Sequence, residues 1–243
     1  MILANTRQHL TRNDAQLAMR ILSHGSDTEL GELEARLAND GIDALLDDPR
    51  LPIALVRSPA GAHASFPLFA YVMVRQALRR LGEGDRSLAD YVAAIVVHFG
   101  VRDRSARVGE SDDQVYAALA DLYHDVNDPD ARRSLLVRAH LGNYALWVSG
   151  IFPDYLEQRR WNRGGPHLGY YEEMGRRGFQ LAAEHRLAEE HGLAPLYAAA
   201  ADRFGLLRLA LNSLSDWLFF PSVHTPERLM RQVKDETMWK LAS

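Results

Sequence analysis

The chain has 243 residues, 47% hydrophobic and 25% charged, with a formal net charge of −4 and no cysteine. That length can bury a substantial core as one domain, with two small domains as the alternative. The mildly acidic balance speaks against general binding of nucleic acid or an anionic membrane, and the lack of thiols excludes disulfides, zinc fingers, thiolate nucleophiles and iron–sulfur clusters.

Residues 1–11 carry no apolar h-region, so no signal peptide is expected. The most apolar stretch near the end, 206–220, is interrupted by Arg208, Asn212 and Asp216, unlike a membrane span. The cytoplasm is the expected setting. Lys234 and Lys240 are the only lysines, so nearly all positive charge is arginine.

Apolar residues recur at helical spacing through most of the chain. Ser26 and Glu29 have capping-box spacing, and Leu30, Leu33 and Leu37 then line one face until Asn39, Asp40 and Gly41. Two short helices around Gly25 have the outline of a helix-turn-helix. The second would carry Asp27, Glu29, Glu32 and Glu34, which repel phosphate, so DNA reading is not expected. A shorter helix is predicted over 42–46. Residues 53–56 form the only strand-like run, and a lone strand reads as extended loop. Residues 58–64, with Pro59 and Gly61, are a predicted linker. The boundary is placed there, with a helical segment 1–57 packing on a main bundle 58–243 as one domain.

Helices are predicted over 66–81, where the apolar start is nearly continuous, and along Leu88, Val92, Ile95, Val96 and Phe99 up to Gly100. Residues 101–113 are charged and expected to be mobile. Val115, Ala118, Leu119, Leu122, Tyr123 and Val126 outline an amphipathic helix, and another starts at Asp128 and Pro129 and runs toward Trp147. Residues 149–169 are rich in glycine and proline and read as a loop between two helices. A long helix is predicted from about His167 to His191. Leu196, Ala200, Phe204, Leu207, Leu211, Leu214 and Leu218 then mark a buried central helix near residues 195–220, stopped by Pro221. Thr225 caps a final helix, with Pro226 at its first position and Glu227 in its first turn. The predicted class is all-α, a single bundle of about nine or ten helices by pattern counting.

Two sets of residues stand out as candidate sites. Arg208, Asn212 and Asp216 are spaced i, i+4, i+8 on an otherwise apolar helix, and His140, Asn143 and Trp147 share one line of another. Buried charge must be paired or line a wet cavity. This pattern fits a polar pocket between the two helices, with Arg208 holding an anion and His140 moving a proton. It equally fits a buried network that fixes helix register, or a row facing solvent.

The second set is the run Arg159, Arg160, Trp161, Asn162, Arg163, Gly164, Gly165, Pro166 and His167. Free N–H groups at a following helix start would suit an anion. No Walker A or dinucleotide fingerprint is present, and Trp, Tyr and Arg are the usual anchors of a protein interface. The interface reading is preferred.

No HExxH or paired Glu-x-x-His signature occurs among the ten histidines. His185 and Glu189 share a helix face, while His98 and His124 suit helix ends. Ser23 beside His24 and Ser222 near His224 read as caps and turns, and no Gly-x-Ser-x-Gly elbow exists. No metal and no cofactor are expected. The function read from these patterns is a non-catalytic protein-interaction or scaffold domain that self-associates, without nucleic-acid or membrane partners. The alternative is an enzyme or small-ligand sensor with a pocket between the His140/Asn143 and Arg208/Asn212/Asp216 helices.

Overall fold

A computed structural model of the chain describes residues 1–101, 105, 107–108, 116 and 118–242, with side chains through residue 237. The described residues contain fourteen α-helices and no strand, so the class is all-α. The expected mobility of residues 101–113 and the helical start at Val115 lie largely outside the described residues. The chain divides into two compact units, Ile2–Gly100 and Val101–Ser243, rather than at residue 57.

The first unit holds α1 (Arg12–Ser23), α2 (Asp27–Asp40), α3 (Asp43–Leu46), α4 (Leu51–Arg57), α5 (Phe66–Arg80) and α6 (Arg86–Phe99). Residues 53–56, expected to be extended, belong to α4. Pro52 suits a first helical turn, and Leu51, Ala54 and Leu55 bury the i, i+3, i+4 face. The linker that follows is a 3-10 helix, Pro59–His63. A Cβ on Gly61 would sit 1.8 Å from the Leu55 carbonyl oxygen, so only glycine lets this turn lie against α4. Ser26 caps α2 as expected, its side chain accepting from the Glu29 N–H.

Several carboxylates pin this unit. Asp47 accepts from Arg75 Nε at 2.8 Å and Arg86 Nη2 at 2.7 Å. Burial alone would push its carboxyl up, but those hydrogen bonds hold it below the ordinary value. Tyr71 is fully buried on α5, and its hydroxyl has no hydrogen-bond partner among the described residues. Burial pushes that hydroxyl up to about 12, against the pull of Arg7.

The second unit holds α7 (Leu119–His124), α8 (Ala131–Ile151), α9 (Pro153–Arg163), α10 (Leu168–Ala183), α11 (Arg186–Glu190), α12 (Ala194–Asp202), α13 (Phe204–Leu214) and α14 (Pro226–Ala242). A π turn, Ser215–Phe219, continues α13. The predicted central helix is therefore two helices with a break at Arg203, and the predicted 167–191 helix breaks at Glu184 and His185, where His185 Nδ1 caps α11 by accepting from the Leu187 N–H. These breaks, with α4 and α9, raise the helix number above nine or ten.

The core lies where α8 packs on α10 and α13, and α10 on α12. Glycines set the spacing. A Cβ on Gly178 would lie 2.6 Å from the Gly142 backbone nitrogen, one on Gly142 2.5 Å from the Phe179 ring, and one on Gly175 2.2 Å from the Phe204 ring. Phe179 and Phe204 are fully buried and fill the space these glycines leave.

Two stability outcomes follow. Gly178→Ala, which must force two backbones apart, is expected to cost about 1–3 kcal/mol in urea unfolding; an unchanged midpoint would mean the helices are not in contact there. Tyr71→Phe is expected to stabilise the first unit by about 1 kcal/mol, because it removes a buried hydroxyl without a partner. The hydroxyl ionises near 10 in an unfolded chain and at about 12 when folded. Its ionisation therefore costs the fold nothing below pH 10 and lowers stability as pH rises toward 12. Unfolding curves across that range should show a smaller alkaline loss in the variant.

Candidate functional site

The charged side chains of α9, α13 and α14 converge in one network. On α14, Arg228 donates through Nε to Asp154 Oδ2 at 2.6 Å, and through Nη1 to the carbonyl oxygens of Phe220 and Val223. Arg231 donates through Nη2 to Asp216 Oδ1 at 2.6 Å and to Asp154 Oδ1 at 3.2 Å. Asp235 completes the row, lying 3.6 Å from Arg231 and accepting from Arg208 Nη2 at 3.2 Å. Arg208 also donates to Glu172 on α10 and, at 2.7 Å, to Asn212 Oδ1. Asn212 then donates to the Ser149 and Gly150 carbonyls of α8, both at 2.8 Å. Three guanidiniums thus share four carboxylates.

Over its described side chains, residues 226–237, this network turns α14 inside out. At about 100° per residue, Arg228, Arg231 and Asp235 span an arc of ~60°, and Leu229, Met230 and Val233 occupy the opposite side of the helix. The arginines are buried, at 4% and 6% exposure, whereas Leu229, Met230 and Val233 are 62%, 71% and 58% exposed. A surface helix of a globular protein ordinarily does the reverse. Long arginine stems make the inversion feasible, because their methylenes bury while the heads find carboxylates.

Beside α14 lies an open groove of about 610 Å3, lined by Phe152, Tyr155, Trp161, Phe220, Val223 and Glu227 among others. Tyr155 and Trp161 are exposed, as are Trp217 and Phe219 on the π turn. Another open groove, of about 640 Å3, is lined by charged residues of α10, including an Arg176–Glu172 pair at 3.2 Å.

The residues singled out by sequence fall into three places. Arg208, Asn212 and Asp216 do stack on one side, and all three belong to the network. His140 donates through Nε2 to the Ser105 carbonyl at 3.1 Å and stacks on Tyr144. Trp147 meets Phe152 edge-on. Asn143 is buried in α8. Asn212 reaches α8 nine to ten residues beyond His140, ~14 Å along the helix axis.

Arg159, Arg160, Trp161 and Arg163 lie on the last turns of α9, so only 164–167 form a connection. Gly164 closes α9 in the left-handed region at φ 65°, and Gly165 follows. The arginines sit at the negative end of the helix dipole, and Arg160 stacks over the Trp161 ring at 5.2 Å. His167 caps α10 as its N-terminal flanking residue, with Nδ1 accepting from the Tyr170 N–H at 3.2 Å. One donor at that helix start is thus taken.

Arg228, Arg231 and Asp154 escaped sequence reasoning. The signal was present in the i, i+3, i+7 spacing of Arg228, Arg231 and Asp235, opposite an apolar stripe. Among the described residues no group of three or more His, Cys, Asp or Glu could hold a metal ion, and no helix is long and apolar enough to cross a membrane. Comparison with protein-family models, curated proteins and solved structures finds no match.

Asp154→Asn leaves two buried guanidiniums short of charge, a loss of about 3–5 kcal/mol for such a pair. We expect α14 to detach while the rest of the second unit stays folded, seen as rapid tryptic cleavage within 228–240 with helical circular dichroism largely kept. Cleavage as slow as in the unaltered chain would show that the cluster does not hold α14.

Proposed function

We propose that the chain is a non-catalytic helical interaction domain that self-associates, with the outer face of α14 as its docking surface. The observation that carries this reading is the inversion of α14. Among the described residues its inner face is satisfied by ion pairs, and Leu229, Met230 and Val233 are left exposed. Trp161, Tyr155, Trp217 and Phe219 are exposed as well, on α9 and the π turn of the same unit. Aromatic and arginine side chains of this kind anchor protein interfaces.

Covering the three stripe residues is worth ~1–2 kcal/mol each, which favours association through this face. A polar pocket centred on Arg208 is less favoured, because its guanidinium is engaged by Glu172, Asn212 and Asp235. No cofactor, nucleic acid or membrane enters this reading, and the cytoplasm remains its expected setting.

Light scattering after size exclusion tests it. At about 50 µM, above a micromolar dissociation constant, the unaltered chain should exceed its single-chain mass of 27.3 kDa. Leu229→Asp combined with Met230→Asp should return it to that mass with unchanged circular dichroism. A single-chain mass for the unaltered protein at every concentration would refute self-association.

A further inference from the structure

We infer that two copies of the chain pair through α14 in an antiparallel, twofold arrangement, with Glu227 of each copy against Lys234 of the other. This rests on the self-association reading above and adds partner, direction and register to it.

The helix carries its own instructions for pairing. Met230 and Val233 occupy the centre of the exposed face, and Thr237 continues it one heptad beyond Met230. Glu227 and Lys234 are also seven residues apart, so they share one edge of that face, ~20° apart around the axis. Both side chains are exposed, and neither has an ion-pair partner among the described residues. Charged edges beside an apolar seam are what set the orientation of paired helices.

Two orientations have different consequences. In a parallel pair each edge meets the opposite edge of the other helix. Lys234 would then lie against Leu229, and Glu227 would face the chain before the helix. In an antiparallel pair each edge meets its own copy reversed, so Glu227 faces Lys234 twice, once at each end of the seam. The twofold axis then passes near residue 230, where Met230 of the two copies meet. The same patch serves both partners, so the contact closes at two chains and does not grow into a filament. Glu227 also lines the rim of the aromatic groove. Lys234 of the second copy thereby arrives at a groove edge that carries an unpaired carboxylate.

Cysteine cross-linking reads direction and register, and a chain without native cysteine makes each introduced thiol unambiguous. About the proposed axis, two copies of residue 230 are offset by ~1.5 Å along the helices and two copies of residue 237 by ~20 Å. A disulfide needs Cα atoms within about 7 Å. Met230→Cys is therefore expected to form a covalent dimer under mild oxidation and Thr237→Cys is not. Charge reversal gives an independent reading. Glu227→Lys and Lys234→Glu should each weaken self-association roughly five- to tenfold, and mixing the two variants should restore it as a heterodimer, since each then meets its opposite charge.

Each outcome has one meaning, provided circular dichroism shows the variants folded. Cross-linking at 230 alone, with recovery on mixing, supports the arrangement. Cross-linking at both positions means a parallel pair, which overturns it and leaves self-association standing. A dimer that cross-links at neither position docks through another surface and overturns it too. A chain that stays monomeric removes the self-association reading itself, and this inference with it.

Discussion

Two arginines buried on the inner face of α14 decide how that helix lies on the second unit. Arg228 and Arg231 meet Asp154 from α9 and Asp216 from the π turn, while Asp235 links them to Arg208. Charges taken from water must find charges or dipoles, and once they do the helix is fixed in rotation. That rotation decides which side chains remain outside. If apolar residues faced inward, α14 would be an ordinary terminal helix; with arginines inward, it presents leucine, methionine and valine to solvent.

The core of the second unit is closely packed. Gly142, Gly175 and Gly178 let α8 and α10 approach closely, and the rings of Phe179 and Phe204 occupy the resulting hollows. Arg208 and Asn212 then connect this core to the surface, one through Asp235 and the other through carbonyls of α8. The polar row on α13 and the π turn thus holds α14 through Asp235 and Arg231. The π turn that follows adds to the same end. The N–H of Phe220 donates to Ser215 at 2.9 Å across a wider ring, and Asp216 on this turn accepts from Arg231.

Much of the fold was legible because a helix must repeat its apolar face every three to four residues. The stripes of α5, α6, α8 and α13 and the caps at Ser26 and Thr225 were read directly. Breaks were not legible where a single residue turns the axis while the periodicity carries through, as at Arg203. Helix α9 was hidden for the opposite reason: its turns carry arginine, glutamine and asparagine with few apolar residues, and glycine and proline flank it. Of the site, the Arg208–Asn212–Asp216 stack could be seen from spacing alone. The carboxylate that matters most to α14, Asp154, lies more than seventy positions from its arginine partners, and no local pattern connects residues so far apart. The inverted face of α14 was within reach, since charge and apolarity alternate sides there, but a terminal amphipathic stretch is ordinarily read with its apolar side inward.

Whether the outer face of α14 is covered by another chain can be read at Met230 itself. A thioether oxidises according to its access to peroxide, and Met1, 52% exposed, provides an internal reference in the same sample. Peptide mapping after a brief peroxide pulse, repeated across a dilution series, gives the ratio of the two rates. If α14 is a docking face, Met230 oxidises slowly in concentrated protein and speeds up relative to Met1 on dilution. A ratio that stays constant from the most dilute to the most concentrated sample would contradict the account.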